Sequence, residues 1–201
     1  EAQYYTDECR KLFELRMSLV PYLYSAFEEY QKTGLPPVSA VVMEYPQDEA
    51  ARNLDDEYFF GKDLLVCPLT LEDGTSREVY LPEGNWYNFF TGEKIEGGRR
   101  LVLEADWNEM LVFARDGALV PVAEPVICVT EDTVFNITVK SFGTNKTGSC
   151  VLYEDDFVSF NYESLVAKKQ INVTVGDNGK FIVSGAKTST KYHFLNCIVK
   201  D

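Results

Sequence analysis

The feature that most constrains this chain is a single change of hydrophobic period. From Thr6 to about Thr33, apolar residues recur at Leu12, Leu19, Leu23, Phe27 and Tyr30, close to the three-and-four spacing of one helical face. After Gly61 the pattern breaks into short apolar runs bounded by turn residues, and it keeps that rhythm to the C-terminus. Twelve Tyr, thirteen Phe and two Trp fit this division, because aromatic residues suit half-buried pleated strands better than helices. The expected fold is therefore mainly β, with one helical segment in front.

Within the first segment, Thr6 reads as an N-cap with Asp7 and Glu8 near the positive end of the helix dipole. Gly34, Pro36 and Pro37 supply the stop, and Pro21 predicts a kink inside. Val38 to Met43 is apolar except for Ser39, the pattern of a strand buried on both faces as in a parallel sheet flanked by helices. A helix leading into such a strand is half of a βαβ-type unit, so the chain is expected to start inside a domain.

Strands are predicted at Leu64–Pro68, Arg77–Leu81, Asn85–Phe89, Arg99–Leu103, Leu111–Ala114 and Ala118–Val122. Turns fall at Glu72-Asp73-Gly74, Pro82-Glu83-Gly84, Thr91-Gly92 and Gly97-Gly98. A second set follows at Val134–Lys140, Gly148–Tyr153, Phe157–Tyr162, Lys169–Val175, Lys180–Ser184 and Lys191–Val199, with turns at Gly143-Thr144-Asn145 and Asp177-Asn178-Gly179. That is a β-sandwich rhythm. It divides the chain into 1–62, 63–123 and 124–201, the last being a sandwich that need not be complete.

A formal charge of −13 repels phosphate backbones and anionic lipid, which removes nucleic acid and membrane surfaces as partners. Runs such as Leu64-Leu65-Val66-Cys67 are far too short to span a bilayer. Cys9, Cys67, Cys128, Cys150 and Cys197 are odd in number and widely spaced, so they read as free, buried thiols rather than as a disulfide framework or a metal motif. A cytoplasmic protein is expected, although sequons at Asn136, Asn145 and Asn172 leave a secreted eukaryotic origin open.

A hydrolase needs paired carboxylates, and two acidic runs stand out, Asp55-Asp56-Glu57 and Glu154-Asp155-Asp156. Neighbours on a strand point to opposite faces, so neither run makes a catalytic pair, and both read as turn and cap acids. The second lacks the glycine-hinged spacing of a calcium loop. His193 is the sole histidine, too little for a His-based metal site or a triad, and Gly97-Gly98 runs into β patterning rather than a phosphate loop. No catalytic residue, metal or cofactor is assigned. Trp86, Tyr87 and Trp107 are the residues a carbohydrate-binding reading would choose to stack on sugars, but Trp86 and Tyr87 lie in a predicted strand where half of the run faces the core.

Four stretches in this order match a known pattern. Leu15-Arg16-Met17-Ser18-Leu19-Val20-Pro21-Tyr22-Leu23-Tyr24 is the first. Gly34-Leu35-Pro36-Pro37 through Glu44-Tyr45-Pro46, Asp55-Asp56-Glu57-Tyr58 to Gly61 and Asp63-Leu64-Leu65-Val66-Cys67-Pro68 form the second. Val79-Tyr80-Leu81-Pro82-Glu83-Gly84-Asn85-Trp86-Tyr87, Phe90-Thr91-Gly92 and Val112 to Pro121 form the third, and Leu152-Tyr153-Glu154-Asp155-Asp156 the fourth. Together they resemble the C-terminal part of glycoside hydrolase family 31, the α-glucosidase and α-xylosidase family. The resemblance implies a helix-plus-strand remnant of a (β/α)8 barrel over 1–62, then two consecutive antiparallel β-sandwiches, proximal and distal. It also implies a retaining α-glycosidase parent whose attacking and proton-donating Asp residues lie on barrel strands upstream; no position here matches either. Three departures stand out: Ser39 where many relatives carry Arg on the last barrel strand, Phe157 in place of a glycine, and Phe90 in place of a Trp.

The implied partners are the upstream catalytic barrel of the same parent chain and, through it, a carbohydrate substrate. A carbohydrate-binding module and a structural or oligomer-forming sandwich are the competing functions. Without the barrel, the apolar faces of Leu19, Leu23, Phe27, Val41 and Met43 would be exposed, and a homodimer or a collapsed repacking is expected.

Overall fold

The computed structural model describes residues 2–70, 74–106, 108–143, 149–156, 160, 169–176, 180–185 and 189–200. The helical segment is two helices rather than one, α1 (Ala2–Ser18) and α2 (Val20–Thr33), broken at Leu19. Pro21 has no N–H to give the carbonyl of Met17 and its ring crowds that carbonyl, so the ladder stops there. The Leu19 N–H is shared between the carbonyls of Leu15 and Arg16, each at 3.2 Å, which tightens the last turn of α1. Thr6, expected as the N-cap, lies inside α1, because the helix already starts upstream of it at Ala2. Gly34 closes α2 in the left-handed conformation, φ 78°, and donates to Tyr30 O at 2.8 Å.

The apolar run at Val38–Met43 is not a strand buried on both faces. It is a three-residue edge strand, β1 (Val38–Ala40), followed by one helical turn, α3 (Val41–Glu44). Val38 and Ala40 face outward while Ser39 is buried, and Tyr45 N–H closes the turn onto Val41 O at 3.0 Å. β1 pairs antiparallel, not parallel, with β2 (Tyr58–Phe60), three aromatic residues that carry no alternating strand pattern.

β2 continues into β3 (Leu64–Cys67), and β4 (Ser76–Leu81), β5 (Asn85–Asn88), β6 (Lys94–Glu96), β7 (Arg99–Glu104) and β8 (Leu111–Arg115) follow. Six of these eight strands form one sheet in the order β1-β2-β3-β8-β5-β6, and β4 and β7 form a two-stranded sheet laid against it. The large sheet is covered on both sides. Phe59, Leu65, Trp86 and Phe113 pack with Val79 and Leu81 of β4 on one face. Leu64, Tyr87, Phe89 and Val112 pack with Leu19 and Tyr22 of the helical segment on the other. This double cover explains why all four residues of β3 are buried.

The distal part holds a sheet ordered β14-β10-β9, from β9 (Leu119–Ala123), β10 (Phe135–Phe142) and β14 (Tyr192–Lys200). A second, ordered β11-β12-β13, is built from β11 (Ser149–Glu154), β12 (Lys169–Val175) and β13 (Phe181–Ser184). Phe135, Ile137, Val139, Leu152, Val173 and Tyr192 form the core between them. β10 and β14 run parallel, so the distal module is not wholly antiparallel. Hydrogen bonding crosses both expected boundaries: β1 and β2 belong to the sheet of the 63–123 module, and β9 pairs with β10 at Ile137↔Ala123. The predicted strand Phe157–Tyr162 and the turns at 72–74, 143–145 and 177–179 fall wholly or in part outside the described residues.

Candidate functional site

The Asp55-Asp56-Glu57 run precedes β2, and two of its acids converge on Arg77, the second residue of β4. The Arg77 guanidinium, nearly inaccessible, donates from Nη2 to Asp56 Oδ2 at 2.8 Å, from Nη1 to Asp56 O at 3.1 Å and to Pro68 O. Glu57 Oε1 lies 3.4 Å from Arg77 Nη2 and accepts the backbone N–H of Tyr80 at 2.7 Å. Glu57 Oε2 is buried with no partner among the described residues. Burial pushes the Glu57 carboxyl up to about 7, against the opposing pull of the Tyr80 N–H and of Arg77. A glycosidase pair flanks a sugar from two sides. These two acids instead share one guanidinium inside the fold, and Asp55 stands alone in solvent.

The Glu154-Asp155-Asp156 run ends β11 and also serves to tie elements together. Glu154 is buried and accepts Thr190 N–H at 3.0 Å and Thr190 Oγ1–H at 3.2 Å. Asp155 Oδ2 accepts the Tyr24 hydroxyl at 2.5 Å, and Tyr153 N–H donates to Ser25 Oγ at 2.9 Å, so α2 is stitched to the distal module. Burial, with Asp155 beside it, holds the Tyr24 hydroxyl far above the usual tyrosine range. His193 is exposed, with Nδ1 3.2 Å from Asn136 Oδ1. Among the described residues no cluster of three or more His, Cys, Asp or Glu could hold a metal ion.

The aromatic candidates are core residues. Trp86 and Tyr87 are each 1% exposed and lie on opposite faces of the six-stranded sheet, Trp86 against Phe59 and Tyr87 among Tyr22 and Leu64. Neither ring offers a face to a sugar; Trp107 lies outside the described residues. Trp86 Nε1 donates to Pro82 O at 2.8 Å, and a Cβ on Gly97 would lie 2.0 Å from that same oxygen, which is why a glycine stands there. Trp86→Phe removes the bond and part of the ring while leaving any surface binding untouched. A loss of about 2 kcal/mol in urea unfolding is expected, with no change in sugar affinity by calorimetry.

Two cations that sequence reasoning passed over organise this side of the fold. Arg77 is one. Arg115, at the end of β8, stacks on Phe59 at 4.4 Å and on Tyr45 at 5.3 Å, and pairs with Glu44 at 2.9 Å. Phe59 is the register partner of Ser39, whose Oγ is buried with no partner among the described residues. The one available signal was an Arg directly ending an otherwise apolar strand run. A cavity of about 190 Å³ lies between α2, the prolines 36 and 37, residues 61–63 and β11. Part of its polar lining is engaged: the Tyr22 hydroxyl donates to Phe60 O and accepts from Asp63 N–H, both at 3.0 Å, and Glu28 pairs with Lys32 at 2.8 Å.

A different surface lacks cover. Tyr5 and Phe13 on α1, Phe27 and Tyr30 on α2, Val38 on β1 and Met43 on α3 are all exposed, Phe13 at 66% and Met43 at 49%. A groove is lined by Tyr5, Cys9, Phe13 and Met17 of α1 with Pro125, Val126 and Ile127.

The family model for the glycosyl hydrolase family 31 C-terminal domain matches residues 34–120. The chain is 34% identical over 177 residues to alpha-glucosidase 2 of Bacillus thermoamyloliquefaciens, covering 87% of this chain and 22% of that protein. It is 32% identical over 160 residues to an alpha-xylosidase of Saccharolobus solfataricus, covering 79% of this chain and 22% of that protein. Among solved structures, a Flavobacterium johnsoniae dextranase of this family, in complex with glucose, superposes with a TM-score of 0.78 at 32% identity over 88% of this chain and 22% of the dextranase. The chain thus spans about a fifth of the length of the relatives it matches. By its C-terminal domain match, its relatives and its fold, the chain belongs to glycoside hydrolase family 31, as a C-terminal part of such a protein.

Proposed function

We propose that this chain braces the catalytic domain of an α-glycosidase acting on α-linked glucosides or xylosides, and that it contributes no catalytic carboxylate. The observation that carries the reading is the coincidence of two facts. The acids that could act in pairs are spent on structure, with Asp56 and Glu57 on Arg77 and Glu154 and Asp155 on Thr190 and Tyr24. Tyr5 and Phe13 of α1, Phe27 and Tyr30 of α2 and Met43 of α3 meanwhile remain exposed, whereas Leu19 and Val41, expected on the open face, are buried. Large apolar side chains left exposed in this number point to a protein interface, and a barrel upstream in the same polypeptide is the partner that the relatives' extra length would supply. The catalytic aspartates of such an enzyme would then reside on that barrel. The carbohydrate-binding reading has no support from Trp86 or Tyr87, both of which are interior.

Turnover separates the alternatives. The purified chain should leave aryl α-glucosides and α-xylosides intact, while the full-length protein cleaves one of them. Hydrolysis by the chain alone, lost on changing Asp55 or Asp56, would overturn the non-catalytic assignment.

A further inference from the structure

Three asparagines head an Asn-X-Thr triplet, Asn136, Asn145 and Asn172, where chance at this Ser and Thr content gives about one. The structure distinguishes the two that it describes. Asn136 is engaged on both sides of its amide, with Nδ2 donating to Glu124 Oε2 at 2.7 Å and Oδ1 3.2 Å from His193 Nδ1. Asn172 stands on β12, between β11 and β13, and is exposed. Side chains two apart on a strand share a face. Thr174 therefore stands beside Asn172 in solvent, while Val173 and Val175 fill the core. Directly across the sheet, Val151 pairs with Asn172 and Ile182 with Thr174. These two aliphatic side chains are 46% and 62% exposed, Val151 at the rim of the cavity beside α2 and Ile182 on the far strand.

We propose that Asn172 is an N-glycosylation site, whose first sugar lies over Val151 and Ile182. In the modification, Nδ2 of Asn172 attacks C1 of an oligosaccharide carried on a polyprenyl pyrophosphate. The C1–N bond forms, the bond from C1 to the pyrophosphate oxygen breaks, and the lipid pyrophosphate leaves with the electron pair while the amide proton passes to a base of the transferase. Thr174 supplies the third position that such transferases require. The protein then traverses a compartment containing that donor, which replaces the cytoplasmic expectation. Covering the two aliphatic side chains removes an exposed patch that the sheet itself leaves open.

The test is peptide mass spectrometry on the full-length protein purified from the cells that make it, treated with a glycan-releasing amidase in heavy-oxygen water. The expected result is conversion of Asn172 to a heavy-oxygen-marked Asp in most molecules, with the Asn136 peptide unmarked. Asn172→Gln and Thr174→Ala, produced in the same cells, should each abolish the mark, and Thr174→Ser should retain it. An unmodified Asn172 peptide in the native protein overturns the proposal without recourse to any variant. That result would fit a reducing compartment, in which the exposed thiols of Cys9 and Cys128 persist.

Discussion

Replacing Arg77 with Ala should destabilise the fold by about 3–5 kcal/mol at pH 8, and by clearly less at pH 5. Among the described residues the guanidinium is the only cation within hydrogen-bonding reach of Glu57, and it also holds Asp56, the Asp56 carbonyl and Pro68 O. Removing it strands the Glu57 carboxylate, whose side chain is 1% exposed and whose Oε2 already has no partner among the described residues. The pH dependence follows from the Glu57 carboxyl, raised to about 7 from its ordinary 4.5, chiefly by burial. A raised carboxyl means the folded state holds its proton when the unfolded state has lost it. The associated stability is complete below the unfolded value and disappears as the pH climbs through about 7. Chemical denaturation of wild type and variant at the two pH values checks both parts. Glu57→Gln provides the control: it keeps an oxygen for the Tyr80 N–H, removes the charge, and should flatten the wild-type pH dependence between pH 5 and 8. An Arg77→Ala cost equal at both pH values would contradict this account of the cluster.

Gly61→Ala should cost about 3 kcal/mol, a large penalty for one methyl group. Gly61 sits at φ +62°, and a Cβ there would lie 2.3 Å from Tyr22 Oη and 2.5 Å from Tyr22 Cζ. The ring has little room to yield, because Tyr22 is buried and its hydroxyl is held by Phe60 O on one side and Asp63 N–H on the other. The contact joins α2 to the β2–β3 turn, where the helical segment meets the large sheet. A double-mutant cycle isolates it. In a Tyr22→Ala background the clash is gone, and Gly61→Ala should cost only the left-handed backbone, about 1 kcal/mol. Equal costs in both backgrounds would show that the helix does not press on this turn.

Much of the β framework was legible in the sequence, since strands such as Arg77–Leu81 and Leu111–Ala114 carry both the apolar run and its flanking turns. The structure places them at Ser76–Leu81 and Leu111–Arg115. Short strands without that signature were not legible. Tyr58–Phe60 is three aromatic residues with no alternation, and Lys94–Glu96 has a single apolar residue between two charges. The run from Val38 to Met43 misled because apolar composition does not say which faces are covered. Ser39 and Val41 point inward, whereas Val38 and Met43 are open. The parallel pairing of β10 with β14 links residues more than fifty apart, a relation no local pattern encodes. Of the chemistry, both acidic runs read as turn and cap acids, whereas Glu57 and Glu154 are buried and bond to other elements. The partners that make them structural, Arg77 and Thr190, were not legible, because each lies far along the chain from the acid it serves.

Bracing makes the most direct demand on the helices. If the open faces of α1, α2 and α3 rest on a barrel in the whole protein, their amides should exchange slowly there and quickly in this chain by itself. Hydrogen exchange over residues 2–44, measured on the full-length protein and on the 201-residue chain under the same conditions, should show at least tenfold greater protection of α1 and α2 in the full-length protein, an effect of about 1.4 kcal/mol or more. Equal protection in the two would contradict the bracing account, because the faces of Phe13, Phe27 and Met43 would then be solvent-facing in both.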